Sequence, residues 1–290
     1  MNYRHAFHAG NFADVVKHAA LALVLARLSA KDTPFRVLDT HAGIGLYDLS
    51  ADEAARTGEW LGGIGRVLAA PFAPDVAALL APWLAAVARV NGLTSVDHLT
   101  PDRLAVYPGS PLVIRAGLRR DDRAIVTELH PADAATLADL FAGDARLKVV
   151  ELDGWFALKS FLPFKERRGL VVIDPPFEQP GEFDRLTRGL VAASARFATG
   201  VYMIWHPIKD LRELARWRGD LKATGLRRIL TVDFAVAAPT ATGPLTACGL
   251  TFVNPPWKLD ADLATLLPPL VERLAVGPGA SARVDWLSPE

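Results

Sequence analysis

Short apolar runs recur along this chain at intervals that a helix would fill. Residues 35–39, 124–128, 147–151, 169–173, 201–205, 229–236 and 248–254 are rich in Val, Ile, Leu and Phe and read as strands. The run 169–173, Gly-Leu-Val-Val-Ile, has no polar position, as expected of a strand covered on both faces. Helical patterns separate the first five runs, which is the βαβ rhythm of a doubly wound, mostly parallel sheet. The last two runs are joined by a short Pro/Thr/Gly linker, predicting an antiparallel pair at the sheet edge. A further strand is expected near 282–286.

Between Leu49 and Tyr107 the rhythm stops. That stretch offers no convincing strand and two helical patterns. In the second, Val76, Leu79, Leu80, Trp83, Val87 and Val90 share one face, and Pro82 should kink or split the helix. Residues 50–107 therefore read as a small helical insertion within one domain spanning 1–290. Another helix is expected after Asn11, with Val15, Val16, Ala19 and Leu23 on one face.

Composition limits the classes available. With 51% hydrophobic residues in 290, the chain has ample material for a core, which excludes global disorder. The one cysteine, Cys248, excludes an intrachain disulfide and a Cys-rich zinc site, and fits a reduced, cytoplasmic setting. The start is polar and does not resemble a signal peptide. The longest uncharged stretch, 234–257, is interrupted by Pro239, Gly243, Pro244, Pro255 and Pro256, so no membrane span is expected.

Charge is balanced, with 32 Lys+Arg against 32 Asp+Glu. Basic clusters occur at Arg119/Arg120/Arg123, Lys165/Arg167/Arg168, Arg212/Arg216/Arg218 and Lys222/Arg227/Arg228. Each has the look of a solvated helix end, and a local patch can still meet phosphates on a neutral chain.

The chemistry lies at the strand ends. Asp39-Thr-His-Ala-Gly43-Ile-Gly45 follows the first run, and its glycines let the backbone approach a ligand. A G-x-G-x-x-G dinucleotide fingerprint fails, because Asp48 stands at its last position. Asp-x-x-x-Gly-x-Gly is instead the motif shape of S-adenosylmethionine-dependent methyltransferases. Glu128 ends the next run, where a carboxylate can accept both ribose hydroxyls, and Asp153-Gly154 follows the third, where Asp153 could accept from an adenine amine. The interval from Asp39 to Glu128 is far longer than the usual ~20 residues, and the insertion accounts for the excess. Past it, Pro108-Gly109-Ser110-Pro111 reads as a turn with an N-cap serine. Lys17 and His18 are placed to meet the carboxylate of a methionine moiety. His5, His8, His18 and His41 invite a metal reading, but helix-face histidines need no metal and methyl transfer from a sulfonium needs no Lewis acid.

The fourth run ends in Asp174-Pro175-Pro176-Phe177. A carboxylate with the carbonyls ahead of the prolines can accept hydrogen bonds from an exocyclic amine, and the ring can stack on the base. Adenine-N6 methyltransferases carry this loop pattern. Asn254-Pro255-Pro256-Trp257 fits it too, but follows the sheet's last expected strand and is read as a structural turn.

Taken together, Tyr-Arg-His-x-Phe-His-Ala-Gly-Asn from Tyr3, Leu-Asp-Thr-His-Ala-Gly-x-Gly, Tyr-Pro-Gly-Ser-Pro, Thr-Glu-Leu-His-Pro, Ile-Asp-Pro-Pro-aromatic and Asn-Pro-Pro-Trp-Lys-Leu resemble the bacterial RlmJ family, in family order. The resemblance implies a Rossmann-like class I methyltransferase and the N6 methylation of an adenine in 23S ribosomal RNA. It implies that His18, His41, Ser110, Glu128, Asp153, Gly154 and Asp174 bind S-adenosylmethionine. Asp174 would also be catalytic, and Tyr3, Pro175 and Phe177 would meet the RNA. Phe177 stands where relatives often have tyrosine, which keeps stacking and loses a hydroxyl. A cytoplasmic monomer acting on rRNA, without metal or membrane, is expected. The rival readings are a DNA adenine methyltransferase, a protein-amide methyltransferase and a non-catalytic RNA-binding assembly factor.

Overall fold

The computed structural model describes residues 5–289. Its strands are β1 (Arg36–Asp39), the short β2 (Leu46–Asp48) and β3 (Val106–Pro108), β4 (Arg123–Glu128), β5 (Leu147–Glu151) and β6 (Gly169–Ile173). β7 (Val201–Pro207), β8 (Ile229–Ala235), β9 (Ala247–Val253) and β10 (Ser281–Ser288) complete them. Eight form one sheet in the order β10-β8-β9-β7-β6-β1-β4-β5. The five strands from β7 to β5 in that order run parallel, and β9, β8 and β10 are joined antiparallel. The expected antiparallel pair is present as β8 and β9, but β10 pairs outside β8 and takes the edge.

Helices α1 (Phe12–Ser29), α2–α4 (Asp52–Thr57, Glu59–Gly62, Ile64–Leu68), α5 (Pro74–Val90) and α6 (Ser110–Gly117) precede β4. Then come α7 (Pro131–Leu140), α8 (Gly154–Phe161), α9 (Glu182–Arg196), α10 (Leu211–Ala223) and α11 (Leu259–Leu274). The strand alternation explains the two layers. Leu170 and Val172 of β6 join the core under α1, α5 and α11, whereas Val171 and Ile173 join the core under α8, α9 and α10. Apolar residues face both ways because both faces are covered. α1 is buried nearly all round, beyond the single face expected of it, because the sheet lies on one side and α5, α6 and α11 pack about the rest.

Two expectations for the insertion need correction. Residues 46–48 and 106–108 pair as antiparallel β2 and β3, with Tyr47 opposite Tyr107, and close its base. Three-residue strands whose partner lies some sixty positions away leave no periodicity to read. Pro82 does not split α5, which continues past it to Val90; the proline is exposed, where water can satisfy the freed carbonyl.

The chain steps from β1 outward through β4 to β5, then returns to β6 and β7 on the other side. Strand order therefore reverses between β1 and β6. Their carboxyl ends flank the switch point, where open α/β sheets take their ligands.

Candidate functional site

A cleft of about 1670 Å³ opens over that point. Its lining includes Lys17, His18, His41, Gly43, Ser110, Glu128, Asp153, Gly154, Asp174, Pro175 and Phe177, so every expected site residue within 5–289 shares one cavity. Tyr3 lies outside the described residues. The volume exceeds the 300–1,000 Å³ or so of a usual small-molecule pocket and suits two ligands side by side.

The β1 loop forms one wall. Gly43 and Gly45 both hold positive φ, and a Cβ on Gly43 would lie 2.3 Å from the Tyr47 hydroxyl. Glu128 braces this loop: Oε2 accepts from the Gly43 amide at 2.9 Å and Oε1 from the His130 amide at 2.9 Å. Asp153 caps α8, its Oδ1 accepting from the Trp155 and Phe156 amides at 2.8 and 3.1 Å. Beside it, a Cβ on Gly154 would approach the Thr40 carbonyl to 2.4 Å, so only glycine fits.

Ser110 differs from its expected role. Gly109 is the N-cap of α6, and the Ser110 hydroxyl donates instead to Asp39 Oδ2 at 2.6 Å. Asp39 is fully buried. Burial pushes its carboxyl up to about 6, the Ser110 bond pulls the other way, and the nearby Asp174 charge adds to the rise. His41 is held by the Thr40 hydroxyl at 2.8 Å, and desolvation brings its ring down to about 4.

α1 supplies the opposite wall. Asp14, Lys17 and His18 fall at i, i+3 and i+4, on one helix face. Lys17 Nζ lies 2.7 Å from Asp174 Oδ2 and 3.0 Å from Asp14 Oδ1. The lysine expected to meet a methionine carboxylate thus reaches the carboxylate of the Asp-Pro-Pro-Phe loop. Sequence reasoning missed this pairing, although the helical spacing of two charges with a histidine was its signal. Asp174 Oδ1 has no hydrogen-bond partner among the described residues. His18 is fully buried, its Nδ1 is 3.0 Å from the Tyr107 hydroxyl, and its Nε2 lies 3.8 Å from Asp14 Oδ1 with no hydrogen-bond partner among the described residues. Burial draws this ring down to about 3, so it is neutral at pH 7.

Past Asp174, the chain turns through Pro175 and Pro176 into Phe177, whose φ of +52° is uncommon for a bulky residue. Its ring meets Phe183 edge-on at 5.1 Å and Trp205 at 6.1 Å. Trp205, which no sequence pattern singled out, also lines the cleft. Asn254-Pro255-Pro256-Trp257 stands elsewhere: β9 runs against β7, and Val253 pairs with Tyr202 near the start of β7, at the other edge of the sheet.

Two basic clusters belong to that other edge as well. Arg119 donates to Asp122 and to the carbonyls of Ser29, Lys31 and Thr33, and Arg168 to the carbonyls of Leu28 and Thr33. Lys209, just before α10, lines the cleft. No group of three or more His, Cys, Asp or Glu suited to a metal occurs among the described residues. Nor is any helix among them long and apolar enough to cross a membrane.

The family described as "Ribosomal RNA large subunit methyltransferase D, RlmJ" matches residues 32–288. The chain belongs to this family. Two relatives called ribosomal RNA large subunit methyltransferase J share the full length of this chain and of their own. The one from Escherichia coli K12 is 40% identical and the one from Haemophilus influenzae Rd 39%. The crystal structure of protein LPL1258 from Legionella pneumophila, 29% identical, matches with a TM-score of 0.83 over 96% of this chain and 98% of that one. Membership in the RlmJ family makes the protein a methyltransferase, an enzyme, and the mixed sheet with its switch-point cleft is the Rossmann-like fold of that class.

Proposed function

We propose that this enzyme transfers a methyl group from S-adenosylmethionine to the N6 amine of an adenine in 23S ribosomal RNA. The observation that carries the reading is the Asp174 loop beside the β1 loop in one cleft, with one carboxylate oxygen engaged by Lys17 and the other without a hydrogen-bond partner among the described residues. On this reading residues 1–290 work as one methyltransferase domain, with 50–107 as its helical insertion.

The residues fit the cofactor. His18 Nε2 is a buried polar atom without a hydrogen bond among the described residues, Gly154 admits no side chain, and acids stand at the ends of β1, β4 and β5. In this assignment His18, His41, Ser110, Glu128, Asp153, Gly154 and Asp174 hold it. Neutral His18 can donate or accept at Nε2, Glu128 can share its remaining lone pairs with ribose hydroxyls, and Asp153 Oδ2 can accept an adenine amine. When bound, S-adenosylmethionine supplies an electrophilic sulfonium methyl.

The protein's own task is to prepare the amine. An adenine amino nitrogen is a poor nucleophile because its lone pair is delocalised into the ring. Hydrogen bonds from N6 to Asp174 Oδ1 and the Pro175 carbonyl favour a pyramidal nitrogen and fix its direction. Lys17 holds Oδ2, so the carboxylate presents a fixed edge to the amine. Asp174 or solvent then takes the proton. Phe177, propped on Phe183 and Trp205, offers a ring on which an unstacked base can lie. Tyr3 is a further candidate for RNA contact.

The test is radiolabelled methyl transfer from S-adenosylmethionine to unmodified 23S RNA, with DNA of matched sequence and an Asp174→Ala variant alongside. Label on RNA alone, located at adenine N6 and lost in the variant, is expected. Label on DNA would move the reading to a DNA methylase.

A further inference from the structure

The insertion lends the cleft wall two carboxylates, Glu53 and Glu59, and the second of these is tied to α1. Glu59, on α3, lies with Oε2 3.0 Å and Oε1 3.1 Å from His8 Nδ1, and its Oε2 accepts from Asn11 Nδ2 at 2.9 Å. Asn11 is the N-cap of α1: its Oδ1 accepts from the Ala13 and Asp14 amides at 2.9 and 3.0 Å. This asparagine thus ties the start of α1 to α3, alongside the packing of α5 on α1 and the Tyr107–His18 hydrogen bond farther along the helix.

Backbone contacts reinforce the joint. Thr57 Oγ1 donates to the Phe7 carbonyl at 2.6 Å, and the Ile64 amide to the Gly10 carbonyl at 2.9 Å. A Cβ on Gly63 would lie 2.1 Å from that same carbonyl, so the two segments meet backbone to backbone. Lys17 sits six residues beyond Asn11, about 9 Å up the helix at 1.5 Å per residue. A small shift of the first turn of α1 therefore moves Lys17 Nζ relative to Asp174, where displacement of about 1 Å is enough to cost rate.

We propose that Glu59 is a positioning residue for methyl transfer: its carboxylate fixes Asn11 and His8, and through them the register of α1 that delivers Lys17 to Asp174. The inference rests on the methyl-transfer reading and adds to it a role for the insertion. The half-buried carboxylate acts through Asn11, some distance from the amine, and takes no part in the bond exchange.

The experiment compares Glu59→Ala, Glu59→Gln, Lys17→Ala and the double variant Glu59→Ala/Lys17→Ala in single-turnover methyl transfer. Amide exchange over residues 7–17 is measured on the same proteins. Glu59→Ala is expected to lose at least tenfold in the transfer rate with little change in KM for RNA, while Glu59→Gln, still able to accept from Asn11, recovers most of it. In the Lys17→Ala background the same change should cost less than twofold, because Glu59 would then have nothing left to position. Exchange over 7–17 should quicken at least tenfold in Glu59→Ala, with β6 unaffected. Equal losses in both backgrounds, a loss confined to KM, or unchanged exchange over 7–17 would each overturn the proposal. If the parent protein methylates no RNA, the methyl-transfer reading fails, and the exchange data still decide whether Glu59 sets α1.

Discussion

Asp174-Pro175-Pro176-Phe177 and Asn254-Pro255-Pro256-Trp257 have the same pattern and follow strands of similar composition, yet they end on opposite edges of one sheet. In the first, the acid pairs with Lys17 and the ring rests on two other aromatics in the cleft. In the second, the Asn254 side-chain amide donates to the carbonyls of Ala198 and Gly200, both at 2.9 Å, and the indole of Trp257 is 79% exposed. Strand direction makes the difference. β6 runs with β1 and delivers its loop to the switch point, whereas β9 runs against β7 and delivers its loop to the other end. The same four-residue pattern lines the cleft in one place and staples a turn in the other.

The sharpest way to break that comparison is to remove the polar residue from each loop. On the proposed reading, Asp174→Ala should lower methyl transfer by a factor on the order of 10²–10⁴, since the amine would lose the group that orients it and can take its proton. Asp174→Asn should also reduce transfer far more than cofactor binding, because Lys17 then faces an amide in place of a charge. Asn254→Ala should leave the rate per folded molecule within about twofold. Rates of transfer at matched folded fraction, read by circular dichroism, check both. A large rate loss in Asn254→Ala with an active Asp174→Ala would reverse the assignment of the loops.

The rings make a smaller contrast. Phe177→Ala should raise KM for RNA by about tenfold, in line with roughly 1–3 kcal/mol for a base stacked on an aromatic ring. Phe177→Tyr should keep the parent value, and Trp257→Ala should change nothing in RNA binding despite its exposure. Titration of the variants with a short RNA stem-loop measures this.

Stability should respond in the opposite sense. Asn254 stands at φ +53°, a conformation asparagine tolerates better than alanine, and it satisfies two carbonyls. Asn254→Ala is therefore expected to cost about 1–3 kcal/mol, measured by urea unfolding. Asn254→Gly separates the two causes, since glycine keeps the turn and loses only the hydrogen bonds.

Much of this was readable in the chain. Most of the sheet followed from apolar runs and their spacing, because strands such as β6 and β9, buried on both faces, leave a continuous signal. The acids at the ends of β1, β4, β5 and β6 were readable because each stands next to such a run. What escaped depends on contacts between distant segments. The β2–β3 pair is too short to show a period, and Ser110 looked like a cap until Asp39 was found beside it. The Lys17–Asp174 pair spans 157 positions, and Glu59 meets His8 across 51. Helical spacing puts Asp14, Lys17 and His18 on one face of α1, but it does not name the distant partner that tertiary packing supplies.

A last contrast concerns acid. His18 of α1 and His206 of β7 are fully buried and drawn down by burial to about 3, from an ordinary 6.5. His41 stays partly open to the cleft, so the two buried rings carry the argument. Between about pH 3 and 6.5 the unfolded chain holds protons that these folded rings refuse, so stability falls as pH drops through that window. Each unmatched proton contributes up to about 1.4 kcal/mol per pH unit. Asp39 works the other way: its folded value of about 6 lies above the ordinary 3.8, so its share of stability grows as pH falls through 6. Two rings against one carboxyl leave a net loss on acidification. At the far end of the strands, Arg146 holds Asp144 down at about 2, and that contribution is present above about pH 4 and lost only below it. Urea midpoints at pH 7.5, 6, 5 and 4 should therefore decline first in the window of the buried histidines. His206→Gln should flatten the decline between 6.5 and 4, leaving the loss below 4 in place. An unchanged slope would mean that acid acts elsewhere than on the histidine beneath the cleft.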